Sequence, residues 1–317
     1  MLRVLGICLI TFASSAFGHH EAAVTIAQLT EQIEKTPTLT ELYYQRGQEY
    51  ISVDQLEKAK ADFGKALSLR ADYLPAARML AQATFQLNQP DQALTQLRAA
   101  MTAAPAEHQF ILPSCHHLEG QILLKMDKPK EALVAFQEAL KVPFPEIDTL
   151  RLRAEAQRRL GLTDQSIADL KAAWLKSNAI ILRNEWLEAL LAAGRADEAL
   201  PVIEQELASS RFRSSWLIRR ARAFLVKKHE KEAKEDLDAA IKELTDRLVV
   251  TPPPFSLLCD RALAYALSGQ IEPAREDLKQ ARTLGAPEGA CRLASEILSQ
   301  KTPVNSPEKQ ILKIDHP

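Results

Sequence analysis

Apolar side chains along most of this chain recur three and four positions apart instead of alternating. Ala59, Phe63 and Ala66 show it, as do Ala93, Leu97 and Ala100, and Ala132, Phe136 and Ala139. Spacings of four then three place each trio on one face of a helix. Val/Ile/Thr-rich alternating runs, the mark of half-buried strands, are missing. The pattern therefore predicts an all-α protein.

The helices come in a repeat. A frame of about 34 residues starts near Thr40, Leu74, Pro113, Ile147, Ile180, Ser214 and Phe255. Its eighth position is small in six of seven units: Gly47, Ala81, Gly120, Ala154, Ala221 and Ala262, with Leu187 the exception. The twentieth is Ala59, Ala93, Ala132, Ser166, Ala199, Ala233 and Ala274. The twenty-fourth is always large and apolar, from Phe63 to Leu278. The twenty-seventh is Ala in all but Glu206. Small residues at 8 and 20 let two antiparallel helices approach closely, and the large residue at 24 fills the space between hairpins. The fifteenth position is Asp54, Asn88, Asp127, Gly161, Gly194, Lys228 and Gly269. Six of these seven tolerate the left-handed conformation that ends a helix. Each unit thus reads helix, tight turn, helix, and stacking buries stripes that no unit can bury alone.

These columns resemble the tetratricopeptide repeat family from about Thr40 to Leu284. Sel1 and pentatricopeptide units are the alternatives, although Sel1 units are longer and richer in Gly. Two departures stand out. The Pro common near position 32 is clear only at Pro105, and the fifth unit breaks two small columns. The resemblance implies a right-handed superhelical solenoid of antiparallel helix pairs, with seven repeats over 40–284. Val24, Ala27, Leu29 and Ile33 predict a capping helix over 22–37, and a final helix is expected over 287–300. The tail, 301–317, has few large apolar residues and is expected to be disordered. Insertions around Glu107–Pro113 and through Pro252-Pro253-Pro254 lengthen two units.

The first residues have the layout of a secretory signal peptide. A basic start at Arg3 precedes an apolar run from Val4 to Phe12 and a small-residue stretch to Gly18. The expected leader is 1–18, with cleavage after Ala16 or Gly18, so the chain is expected to be exported to a periplasm or secreted. No later segment is apolar enough to span a membrane. Cleavage would leave Cys115, Cys259 and Cys291. Three cysteines are not a disulfide framework, and the frame puts Cys259 and Cys291 on successive units, so free buried thiols are expected.

Composition narrows the function. Lys and Arg total 40 against 41 Asp and Glu, which argues against a nucleic-acid face. With only 10 glycines, a phosphate loop or dinucleotide fold is not indicated. No His-Glu-x-x-His, Gly-x-Ser-x-Gly or Cys-x-x-Cys motif occurs, so neither an enzyme nor a cofactor is expected. His116-His117 point to different faces of one helix and do not naturally share a metal. His19 and His20 near the new N-terminus are weak candidate ligands for Cu(II) or Ni(II); this metal-handling reading is one alternative, and an enzyme with an unrecognised groove site is another.

The family resemblance implies a concave groove lined by first helices at positions 2, 5, 9 and 12. On those columns, or beside them, stand Tyr44, Gln48, Arg78, Gln82, His117, Gln121, Arg151, Arg158 and Arg222. Long donors and an aromatic suit the carboxylates and backbone amides of an extended peptide. Ile218, Leu225, Leu263 and Ala266 add an apolar stretch further on. Asn is absent from position 9, so the clamp of the chaperone-binding subfamily is not indicated. The expected function is a non-enzymatic scaffold that binds a protein or peptide during envelope assembly or secretion.

Overall fold

The computed structural model describes residues 21–301 apart from 144 and 288. The expected leader, His19, His20 and the tail beyond 301 lie outside the described residues. Among the described residues there is helix and no strand. The chain divides into two compact units, up to Arg183 and from Asn184 on.

In the first unit, α1 covers residues 21–35. Four helix hairpins follow: α2 (Thr40–Ser52) with α3 (Leu56–Leu69), α4 (Leu74–Gln86) with α5 (Pro90–Thr102), α6 (Leu112–Lys125) with α7 (Pro129–Ala139), and α8 (Ile147–Arg159) with α9 (Thr163–Ser177). A short 3₁₀ turn, η1 (Ala106–Ile111), occupies the first insertion and packs on α4 and α6. Helix α10 (Ile180–Ala192) contains the division between units. The second unit continues with α11 (Ala196–Ser209), α12 (Ser214–Val226), α13 (Glu230–Arg247), α14 (Phe255–Leu267), α15 (Ile271–Thr283) and α16 (Arg292–Lys301). The architecture is all-α, of stacked antiparallel hairpins.

The turn inside each hairpin is set by backbone bonding. At position 15, φ is positive in all seven: 57° at Asp54, 59° at Asn88, 55° at Asp127, 74° at Gly161, 73° at Gly194, 61° at Lys228 and 80° at Gly269. The next amide then reaches back to the carbonyl five residues earlier, as in Gln55 to Tyr50 at 2.8 Å, Lys128 to Leu123 at 2.8 Å and Gln270 to Tyr265 at 2.9 Å. This bonding satisfies carbonyls that the helix end would leave open. Lys228, the residue least suited to this conformation, adopts it because its hairpin closes like the others.

Packing explains the small columns more sharply than the sequence does. A Cβ on Gly47 would lie 2.6 Å from the Phe63 ring, and one on Gly120 would lie 2.4 Å from the Phe136 ring. Both rings are fully buried. The residue at 24 therefore sits first on position 8 of its own hairpin. Where 24 is Phe, 8 is Gly; where it is Leu, 8 is Ala.

A second tie joins the hairpin helices and went unnoticed in the sequence. Position 7 carries Arg and position 23 carries Asp in four units. Arg46 holds Asp62 with two bonds of 2.7 Å. Arg220 holds Asp236 at 2.8 and 2.7 Å, and Arg261 holds Asp277 at the same two distances. Arg153 meets Asp169 at 3.1 Å. Bidentate pairing raises the pKa of Arg46, Arg220 and Arg261, and its planar geometry fixes helix register.

The ends are covered. Leu29 and Ile33 of α1 pack with Leu42, Tyr43, Ala66 and Ala76, and Ala294 and Leu298 of α16 pack on Ala262, Ala266, Ala274 and Leu278. Helix α16 begins at Arg292, not at 287 as the sequence suggested, because Gly285 and Gly289 adopt φ of 81° and 88°. That detour overturns the expectation of free thiols. Cys259 and Cys291 form a disulfide with Cα atoms 5.0 Å apart. The frame ends near Leu284, and beyond it the chain turns back instead of advancing by another repeat. Cys115 is free and buried.

Two outcomes follow from this packing. Gly120→Ala should gain about 1 kcal/mol in helix propensity but lose about 2–3 kcal/mol by crowding Phe136. A denaturation midpoint should therefore fall, and Gly120→Ala with Phe136→Leu should recover it; a midpoint raised by Gly120→Ala alone would refute the match. In denaturant without reductant, thiol labelling within 21–301 should find Cys115 alone. Removing the disulfide, whose cysteines are 32 residues apart, should cost about 3–4 kcal/mol. Three labelled thiols before reduction would refute the bond.

Candidate functional site: the first-helix faces

In the first unit α2, α4, α6 and α8 touch one another in order, so their facing columns form one row. Tyr44 and Gln48 stand one helical turn apart on α2, and the Gln48 amide donates to the Tyr44 hydroxyl at 3.2 Å. The Tyr44 ring meets Tyr73 edge-on with centres 5.5 Å apart. Gln82 on α4 and Gln121 on α6 are half-buried, and their amides make no hydrogen bond among the described residues.

The arginines of this row are unequal. Arg151 binds Asp148 of its own helix at 2.8 Å, and Arg158 pairs with Glu155. Arg78 has no carboxylate within reach among the described residues; its one polar contact is Met79 Sδ at 3.1 Å. It is half-buried and lies close enough to Cys115 and His117 to influence both. Burial pushes the Cys115 thiol up to about 11, which keeps it protonated and unreactive.

His117 is a structural member of the row. Its Nδ1 lies 2.7 Å from Thr149 Oγ1 and its Nε2 3.8 Å from Asp148 Oδ2, while its ring meets Phe136 edge-on. Burial lowers its pKa despite the opposing pull of Glu146 and Asp148, so the ring is neutral at pH 7. Its neighbour His116 turns elsewhere, with Nδ1 3.2 Å from Glu119 Oε2. Arg98 reaches the other oxygen of Glu119 at 2.7 Å. Burial pushes the Glu119 carboxyl up, but those two partners outweigh it and hold the carboxyl below its usual range.

The second unit presents a different face. Glu188 on α10 accepts from Arg219 at 3.0 Å and from Arg222 at 2.5 Å. Burial pushes its carboxyl up, and the two arginines prevail and lower it. Arg222, expected to face a peptide, is thus already matched. Opposite charges at position 9 of successive units, 34 residues apart, were the signal for this tie. Burial raises the Asp260 carboxyl against the pull of Arg219 and Arg247. The expected apolar stretch is largely packed away: Ile218 and Ala266 are buried, and only Leu225 and Leu263 are half-exposed.

No group of three His, Cys, Asp or Glu side chains among the described residues could hold a metal ion, and His19 and His20 lie outside them. No described helix is long and apolar enough to cross a membrane.

The comparisons agree with this geometry. A sequence model of the tetratricopeptide repeat matches residues 40–73, the first hairpin. A tetratricopeptide repeat protein from Parabacteroides merdae superposes with a TM-score of 0.59 at 13% identity, covering 82% of this chain and 97% of that one. The Cut9–Hcn1 hetero-tetramer of the APC/C contains a chain that superposes with a TM-score of 0.51 at 13% identity, over 90% of this chain and 47% of that one. At such identities the likeness is one of fold. No curated protein matches in sequence.

The lowered pKa of His117 gives a pH test. A base whose folded pKa lies below its unfolded value of about 6.5 stabilises the fold above that pH, and the contribution is lost as pH falls through 6.5 toward the folded value. The denaturation midpoint should therefore drop between pH 7.5 and 5.5, and His117→Gln should flatten that drop. Glu119 and Glu188 titrate below this window. An unchanged slope in the variant would show that His117 is not neutral in the fold.

Proposed function

We propose that this chain is a tetratricopeptide-repeat protein and acts as an exported, non-enzymatic scaffold that holds an extended segment of a partner protein against the first-helix face of its first unit. The observation that carries this reading is Arg78, a half-buried guanidinium with no carboxylate partner among the described residues, one turn from Gln82 on its own helix, which touches the next first helix, carrying Gln121. A half-buried cation with no carboxylate to give up gains more from a partner's carboxylate than one already paired. The glutamine amides each offer donors and an acceptor to a peptide backbone, and Tyr44 offers an aromatic edge. The perturbed groups on both faces are tied into ion pairs or packed in the interior, an arrangement that supports binding over catalysis.

Export to a periplasm or beyond is supported by the leader-like first 18 residues and by the disulfide. Disulfides persist in oxidising compartments, and Cys259–Cys291 ties α14 to the segment that leads into α16. In that compartment a scaffold of this kind fits envelope assembly or secretion.

Charge reversal tests the face. Arg78→Glu should reduce capture of the partner from envelope extract by at least about tenfold, as expected for an opposed charge in a contact, and Arg151→Glu, whose guanidinium is already held by Asp148, should reduce it less. Lys58→Glu, on the outer helix α3, should leave it unchanged. Equal capture by the Arg78 variant with an unaltered helical signal would exclude this face as the binding surface.

A further inference from the structure

Two loops at one edge of the second unit carry an exposed apolar surface that the first-helix reading does not use. The α11–α12 loop presents Arg211-Phe212-Arg213, and the α13–α14 loop presents Val249-Val250 ahead of three prolines. Phe212 is 50% exposed, Val249 80% and Val250 58%. The Arg247 guanidinium lies 4.1 Å from the Phe212 ring centre, so the loops are side by side, with the valines two and three residues beyond Arg247. The first loop is also pinned: the Arg213 amide donates to both Glu243 oxygens at 3.1 and 3.0 Å. Arg247 approaches the same carboxylate at 3.6 Å. Glu243 is thereby committed, whereas the Arg211 and Arg213 side chains meet no carboxylate among the described residues.

Large apolar side chains on paired loop tips are unusual on a soluble surface. A protein partner is ordinarily gripped where aromatic anchors fill packed pockets. Here Phe212, Val249 and Val250 stand outward from two tips. The two loops together hold no acid and two cations without a carboxylate partner among the described residues, Arg211 lying over the Phe212 ring at 5.3 Å from its centre; Glu206, Glu243 and Asp246 belong to α11 and α13. We propose that this edge docks on an anionic lipid surface, with the apolar tips entering the headgroup–acyl boundary and Arg211 and Arg213 holding lipid phosphates. Attachment through two loop tips is peripheral and reversible. It places the scaffold at a membrane.

Vesicle flotation of the protein recovered after export tests this, with every variant prepared in the same way. Vesicles of phosphatidylcholine with about one third phosphatidylglycerol should bind it, and phosphatidylcholine alone should not. Phe212→Ser with Val249→Ser and Val250→Ser should weaken binding about tenfold. Arg211→Gln with Arg213→Gln should weaken it by a similar factor and reduce its salt sensitivity. These residues are exposed, so an unchanged melting midpoint separates lost docking from lost folding. Arg78→Glu should bind vesicles like the parent, which separates failure of this proposal from failure of the peptide-binding reading. No binding of the parent chain to anionic vesicles would overturn the proposal, and so would equal binding by the triple serine variant. Crosslinking of a soluble protein at position 212 without vesicle binding would assign the edge to a protein partner instead.

Discussion

Side-chain volume is matched across the contact between the two helices of a hairpin: a ring at position 24 meets glycine at position 8, and a leucine goes with alanine. Helices pack at about 8–10 Å depending on what lies between them. Gly47 and Gly120 accept Phe63 and Phe136, whose rings would collide with any Cβ there. Ala81, Ala154, Ala221 and Ala262 instead face the column of Leu97, Leu170, Leu237 and Leu278. A hairpin that swelled would also misalign its neighbour, because stacked repeats bury their stripes jointly. The exception is α10, where Leu187 stands in the small column opposite Ile203 and both are fully buried.

Volume sets spacing, and the arginine–aspartate pairs set register. A buried ion pair is weak evidence for stability but a strong constraint on which groups must meet. Hairpins without the pair solve the problem differently. In the second, Leu80 replaces the arginine and Gln96 the aspartate, and Gln96 Oε1 is left buried without a partner. In the third, Glu119 stands at the arginine position and takes Arg98 from the preceding hairpin. The tie there runs between repeats instead of within one.

Much of this fold was legible because its determinants are local. Small residues at fixed offsets and a turn residue at position 15 report helix contacts and helix ends directly. The arginine–aspartate spacing of sixteen was equally present and was passed over, because charged residues at helical spacing read as solvated surface unless their columns are compared across units. The disulfide was not legible. The frame measures distance along the stack only while the repeat lasts, and Gly285 and Gly289 return the chain toward α14 after it ends. At the candidate site, residue type alone made Arg78, Arg151, Arg158 and Arg222 look alike. The acids three residues before Arg151 and Arg158 distinguish them from Arg78, which has Pro75 there.

That distinction bears on where a partner can bind. An arginine already matched must give up one carboxylate to gain another, and the exchange yields little because both states are paired. Arg222 is in this position, held on Glu188 together with Arg219, and Ile218 beside it is packed inward. Arg78 surrenders no ion pair, and its half-buried setting strengthens any charge brought to it. The two faces therefore differ in what they can gain from a ligand, although their columns are drawn from the same repeat. The responsive cation stands in the first unit and the self-satisfied cluster in the second, where Glu188 and its two arginines tie α10 to α12.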